Sequence, residues 1–236
     1  MRTRDRLRAL VGGRQRPHPD APAYWRAHLH RVGREAQRTD TPIDEVRFVV
    51  LDTESTGLDH QRDHVVSFGA IRVRGGVLDV GSSVDWRIRT KLPSPEESIV
   101  VHGVLNAELE SGLTPPRFAE RLTAYLGADV IVGYRPGFDM AMLNRLIDAY
   151  TGGRLDNPSL DVFTLGMRVD YPLKPGFINP EPYSFDALCR RYGLETPERH
   201  TAIGDAYTTA LLLTKLLHRL REAGAETLGD LLRAYR

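Results

Sequence analysis

Apolar and polar positions along the chain follow two alternating rhythms. Between residues 21 and 37 the apolar side chains Trp25, Leu29, Val32 and Ala36 recur at helical spacing. Asp20 is placed to cap that helix and Pro22 suits its first turn. "RTDTPIDE" breaks the rhythm and reads as a linker. From Val46 the period shortens. "VRFVVLD" is apolar on both faces, as expected of a central strand covered on each side. "HVVSFGAIRVR" and "VLDVGSSVDWRIRT" flank Gly75 and Gly76 and read as a hairpin. "KLPSPEES" is a loop. Residues 115–127 read as a helix, "DVIVGY" as a short buried strand, and "FDMAMLNRLIDAY" as a helix closed by Gly152 and Gly153. "SLDVFTLGMRV" fits strand and helix equally, and "DYPLKPGFINPEPY" carries too much proline for either. Helices follow at about 184–193, 202–223 and 226–235, by the same periodicity. No internal repeat is present.

Antiparallel strands followed by alternating strand and helix imply an α/β domain, a mixed sheet flanked by helices, over residues 46–236. Residues 1–45 form a basic N-terminal extension with one helix. The 41% apolar content is ample for a sizeable core. No apolar run approaches the roughly 18–20 residues that cross a bilayer, so no membrane partner is expected. The start of the chain lacks the apolar segment of a secretory signal; a basic tail and an Arg-rich transit peptide both fit it. A single cysteine, Cys189, excludes an internal disulfide and a multi-cysteine zinc site, and the expected compartment is the reducing cytoplasm.

Charge changes the picture. The net value of +1 conceals ten arginines against Asp5, Asp20 and Glu35 within residues 1–38, a balance of +7 over an acidic remainder. A basic arm on an acidic body suits a metal-loaded site that approaches a polyanion. Arginine outnumbers lysine 29 to 3, however, so arginine richness alone carries little weight.

The chemistry concentrates in "FVVLDTESTGLD". Strand alternation puts Asp52 and Glu54 on one face and Thr53 on the other. Two neighbouring carboxylates repel unless a cation lies between them or one holds a proton. A divalent ion with oxygen ligands, Mg²⁺ or Mn²⁺, resolves the conflict. A solvated or salt-bridged Asp-x-Glu at a strand end is the commoner explanation of such a pair taken alone. Asp139, after a short apolar strand, opens a helix, where the dipole favours a carboxylate with or without function. His200 and Asp205 lie five residues apart, some 140° around an α-helix. They can share a site only if His200 precedes the helix and Asp205 stands in its first turns.

Taken in order, "LDTESTGLD", "VHGV", "VGYRPGFDMAML", "YSFDALCRRYGL" and "RHTAIGDAYTTA" resemble the motifs of DEDD-type 3′–5′ exonucleases. The resemblance is to the histidine-bearing branch, which includes the proofreading subunits of bacterial replicative polymerases, and spans about residues 46–218. It implies a ribonuclease H-like fold and two ions, Mg²⁺ or Mn²⁺, held by Asp52, Glu54, Asp139 and Asp205, with His200 as general base. It also implies that Thr56, Gly57, His102 and Glu97 border the terminal nucleotide. Two positions depart from the family pattern. Tyr134-Arg135 stands where His-Asn is usual, bringing a cation that could meet a phosphate or a carboxylate, and Ser67 stands where an acid is common. The implied substrate is single-stranded nucleic acid with a free 3′ end. DNA is the first expectation and RNA the alternative; the implied protein partner is a DNA polymerase or another repair protein. The chain stops about 18 residues past the matching region, so a free-standing exonuclease and a polymerase subunit stand level. Two readings compete with hydrolysis by this route. An aspartyl-phosphate phosphatase would use Asp52 as nucleophile, but Glu54 replaces its acid. A nucleic-acid-binding protein with a vestigial site would rely on the basic arm and "DWRIRTK" for phosphate contacts.

Overall fold

A computed structural model describes residues 15–90, 104, 106–172, 177–196 and 198–233. Helix α1 (Ala23–Glu35) leads to strand β1 (Arg47–Ser55) through a 3₁₀ turn at Ile43–Glu45. Strands β2 (Val65–Arg74) and β3 (Val77–Arg87) follow, then helices α2 (Asn106–Ser111) and α3 (Pro115–Leu126). Strand β4 (Val130–Gly133), helix α4 (Gly137–Thr151), strand β5 (Ser159–Asp161) and helix α5 (Val162–Asp170) alternate. Helices α6 (Phe185–Arg191), α7 (Ala202–Glu222) and α8 (Leu228–Leu232) complete the described chain.

The five strands form one sheet in the order β3-β2-β1-β4-β5. β1 pairs antiparallel with β2 and parallel with β4, so the strand carrying Asp52 and Glu54 sits at the centre. This is the mixed α/β sheet of the ribonuclease H-like class. Phe48 and Val50 of β1 and Ile71 and Val73 of β2 point to one face, where Leu212, Leu213, Leu216 and Leu220 of α7 bury them. Val49 and Leu51 point to the other face, against Phe118 and Leu122 of α3 and Met142 and Ile147 of α4. The two-faced apolar pattern of β1 follows from this sandwiching.

The hairpin turns at Gly75 and Gly76, whose φ values of +58° and +74° suit glycine. The ambiguous "SLDVFTLGMRV" is both element types: β5 runs straight into α5, and the side chain of Asp161 caps the junction by accepting from Phe163 N. α1 is two residues shorter at each end than its apolar spacing predicts. Asp20 does not cap it; Pro22 occupies the N-cap without a side-chain hydrogen bond. The last helix spans five residues, not ten, because Thr227 and Asp230 close a capping box two residues later than expected. Helix α2 has no counterpart in the sequence-based expectation. The loop "KLPSPEES", together with Glu97 and His102, lies outside the described residues.

Candidate active site

The C-terminal half of β1 carries the first two acids. Asp52 stands opposite Gly69 and Glu54 opposite Ser67 on β2, all on the face covered by α7. Gly69 sets the geometry. A Cβ there would fall 2.2 Å from the Ala202 carbonyl carbon and the Ile203 nitrogen, so only glycine lets the start of α7 lie down on the sheet. Asp205, in the first turn of α7, is thereby delivered to β1. One oxygen from each of Asp52, Glu54 and Asp205 lies within 4.8 Å of the other two.

That convergence is electrostatically costly. Asp52 and Glu54 are half-buried and Asp205 is buried. Desolvation, followed by the charge of Asp139, Glu54 and Asp205, pushes Asp52 well above the usual carboxylate range. Desolvation and the charge of Asp205 and Asp139 push Glu54 up to about 8. The guanidinium of Arg199 opposes both shifts. The cluster therefore favours a proton or a cation, and two features favour the cation. Oxygens within 4.8 Å of one another can share an ion whose ligand distances are about 2.0–2.6 Å. Oδ1 of Asp205 is buried without a hydrogen-bond partner among the described residues, an acceptor still lacking its donor or ion.

Asp139 approaches from the opposite layer, in the first turn of α4. Its Oδ1 accepts from the backbone N and the hydroxyl of Thr53, at 3.0 and 2.7 Å. Thr53 faces away from the other acids, as alternation dictates, and this is what ties Asp139 to the end of β1. Burial raises the Asp139 pKa, and these hydrogen bonds oppose the rise.

His200 precedes α7, with Thr201 as the N-cap, which is the one arrangement in which His200 and Asp205 can share a site. Its φ is +63° and its backbone N donates to Asp205 Oδ2 at 3.1 Å. The residue is exposed and its imidazole stands outside the three-acid cage. Arg135 likewise has a positive φ, +51°, with its backbone N on Asp161 Oδ1. Its guanidinium carbon lies 4.2 Å from the Phe163 ring centroid, over an aromatic face instead of a metal-site acid. Ser67 accepts from Arg87, which stands two strands away from Glu54 on the same face.

The loop after β1 is tightly closed. Thr56 donates to Asp63 Oδ1 at 2.8 Å and accepts from His64 N, while Thr56 N reaches the His64 carbonyl. Gly57 lies against the Asp63 carboxylate, and Arg145 donates to the carbonyls of Gln61 and Asp63. Sequence reasoning misses Thr53, Gly69 and Arg199. Thr53 had a local signal, a hydroxyl between two acids on the reverse face; Gly69 and Arg199 act through contacts that no periodicity reports.

Comparison with known proteins places this geometry. The exonuclease family (RNase_T) matches residues 49–213. The chain is 34% identical over 203 residues to a DNA polymerase III subunit epsilon-like protein of Rhodobacter capsulatus, covering 85% of this chain and 28% of that protein. It is 30% identical to the DNA polymerase III subunit epsilon of Aquifex aeolicus, covering 73% and 81% respectively. The fold matches Escherichia coli exonuclease I in complex with a dT13 oligonucleotide at a TM-score of 0.62 and 20% identity, over 76% of this chain and 42% of the other. This chain thus spans well under half of the Rhodobacter protein and of exonuclease I, and most of the Aquifex subunit. With the matched segment running from β1 into α7 and enclosing all four acids, the chain belongs to the exonuclease family.

Proposed function

We propose that this protein is a divalent-metal-dependent 3′–5′ exonuclease that removes nucleoside monophosphates from the 3′ end of single-stranded DNA. The observation that carries the reading is the meeting of Asp52, Glu54 and Asp205 within 4.8 Å, with the buried Asp205 Oδ1 unsatisfied among the described residues. Two ions, Mg²⁺ or Mn²⁺, would supply a nucleophile at neutral pH and charge relief on the phosphoryl oxygens. Asp52, Glu54 and Asp205 hold the site, and Asp139, fixed by Thr53, supports it from the other layer. His200 accepts the proton of the attacking water; its exposed position leaves the ring free to turn toward the scissile phosphate. Arg135, presented on Phe163, contacts a backbone phosphate. Thr56 and Gly57 border the terminal nucleotide, together with Glu97 and His102.

A site that reads a terminal nucleotide needs it unstacked, which favours single strands. A replicative polymerase or another DNA-repair protein is the partner class, in the cytoplasm, and residues 1–45 serve as the extension to a catalytic domain at 46–236. No helix among the described residues is long and apolar enough to cross a membrane. The test is a panel of 3′-labelled DNA and RNA oligomers, single- and double-stranded, with Mg²⁺, Mn²⁺ or chelator. Mononucleotides should appear from single-stranded DNA only when a divalent ion is present. Equal release in chelator would end the metal reading, and faster release from RNA would reassign the substrate.

A further inference from the structure

We infer that Arg199 is the positioning residue of the cation cage, bridging Asp186 and Asp205 so that Asp205 presents Oδ1 alone to the ion. The inference rests on the metal-dependent reading above and adds to it a residue outside the acids and the histidine.

Arg199 Nη1 lies 2.5 Å from Asp205 Oδ2, and Nε lies 3.1 Å from Asp186 Oδ1 in the first turn of α6. The guanidinium carbon sits 4.6 Å from the Phe185 ring centroid, so the planar group is stacked as well as bonded. The backbone N of His200 is a second donor to the same Asp205 Oδ2. Two donors on one oxygen stop the carboxylate from rotating to exchange its oxygens. The other oxygen is left buried and, among the described residues, without a partner, in a residue that offers one carboxylate oxygen to the cluster with Asp52 and Glu54. A planar, stacked fork can hold two acids in fixed relation, which a lysine ammonium cannot.

Orientation and charge act in opposite directions here. The positive charge of Arg199 opposes entry of a cation, whereas its hydrogen bonds prepare a ligand for one. If charge neutralisation were its role, removing Arg199 would strengthen metal binding. If it only supported packing, removal would lower the melting temperature and leave the affinity alone. Positioning predicts weaker binding despite the lost positive charge.

The experiment is a Mn²⁺ titration of the full chain by electron paramagnetic resonance, alongside melting curves in chelator. Arg199→Met should weaken Mn²⁺ binding by about 10–100-fold, the range for residues that orient metal ligands. Arg199→Lys should fall between it and the unsubstituted protein. Asp186→Asn, at the more exposed end of the bridge, should weaken binding in the same direction by less, and it reports on the bridge if Arg199→Met does not fold. Unchanged or tighter Mn²⁺ binding in Arg199→Met, or in Asp186→Asn where that variant alone folds, overturns the inference, as does an unsubstituted chain that binds no Mn²⁺. An unsubstituted chain that binds Mn²⁺ but releases no nucleotides ends the nuclease reading alone, leaving the titrations to judge Arg199.

Discussion

Asp129 and Asp205 are both buried acids with arginine partners, and they differ in what is left over. Asp129, between α3 and β4, accepts from Arg47 Nε on Oδ1 at 2.7 Å and has Arg72 3.7 Å from Oδ2, so each oxygen faces a guanidinium. Among the described residues, Asp205 has two donors on Oδ2 and none on Oδ1. Equal burial and equal charge therefore conceal opposite purposes. The satisfied acid cements the start of β4 beneath β1 and β2, and the half-satisfied one keeps an acceptor open for the proposed cation. Free acceptor capacity, more than burial or charge, separates a ligand from a structural acid.

The contrast breaks most visibly under substitution by the isosteric amide. Asp205→Asn should reduce Mg²⁺-dependent nucleotide release by more than the roughly 100-fold lost when only a ligand's support is removed, with little change in melting temperature. Asp129→Asn should do the reverse, retaining release while losing about 1 kcal/mol of stability from its pairs with two half-exposed arginines that keep other partners. Rate assays and denaturant melts on both variants decide the matter; matching phenotypes would erase the distinction.

A smaller effect is expected one layer away. Thr53→Val keeps the volume and the backbone donor but deletes the 2.7 Å hydroxyl bond to Asp139. Release should fall about 10-fold, at the low end for a residue that orients a metal ligand, and an unchanged rate would show that the backbone N of Thr53 suffices.

Part of this arrangement is legible in the sequence and part is not, for physical reasons. Alternation along β1 fixes Asp52 and Glu54 on one face because the strand period is two. The helical turn lets His200 and Asp205 share a site only if His200 precedes α7, and His200 does precede it, with its imidazole outside the three-acid cluster. The central place of β1 follows from a local pattern too, since that strand is covered on both faces and reads as an apolar run. Gly69 escapes because its importance lies in the Ala202 and Ile203 backbone, more than 130 residues downstream. Arg199 escapes because its two acids lie on different helices. β5 merges with α5 without a turn residue, so length could not separate strand from helix.

The smallest expected effect concerns acidity. Glu54 rises from an ordinary 4.5 to about 8, so between those values the folded chain binds more protons at this site than the unfolded chain. Its contribution to stability is complete below the unfolded pKa and is lost as pH rises through about 8. In chelator, Glu54→Gln should flatten the fall in melting temperature between about pH 5 and 8. An unaltered slope in Glu54→Gln would show that the acid cluster is discharged by another route.

Trp25 is almost wholly buried on α1, and His28 beside it bonds the Thr123 carbonyl of α3 at 3.1 Å. Anyone trimming this chain to its nuclease portion must keep that helix. A fragment starting at Val46 would uncover the surface of α3 and Gly153 that Trp25 and His28 cover, inviting aggregation that passes for lost activity.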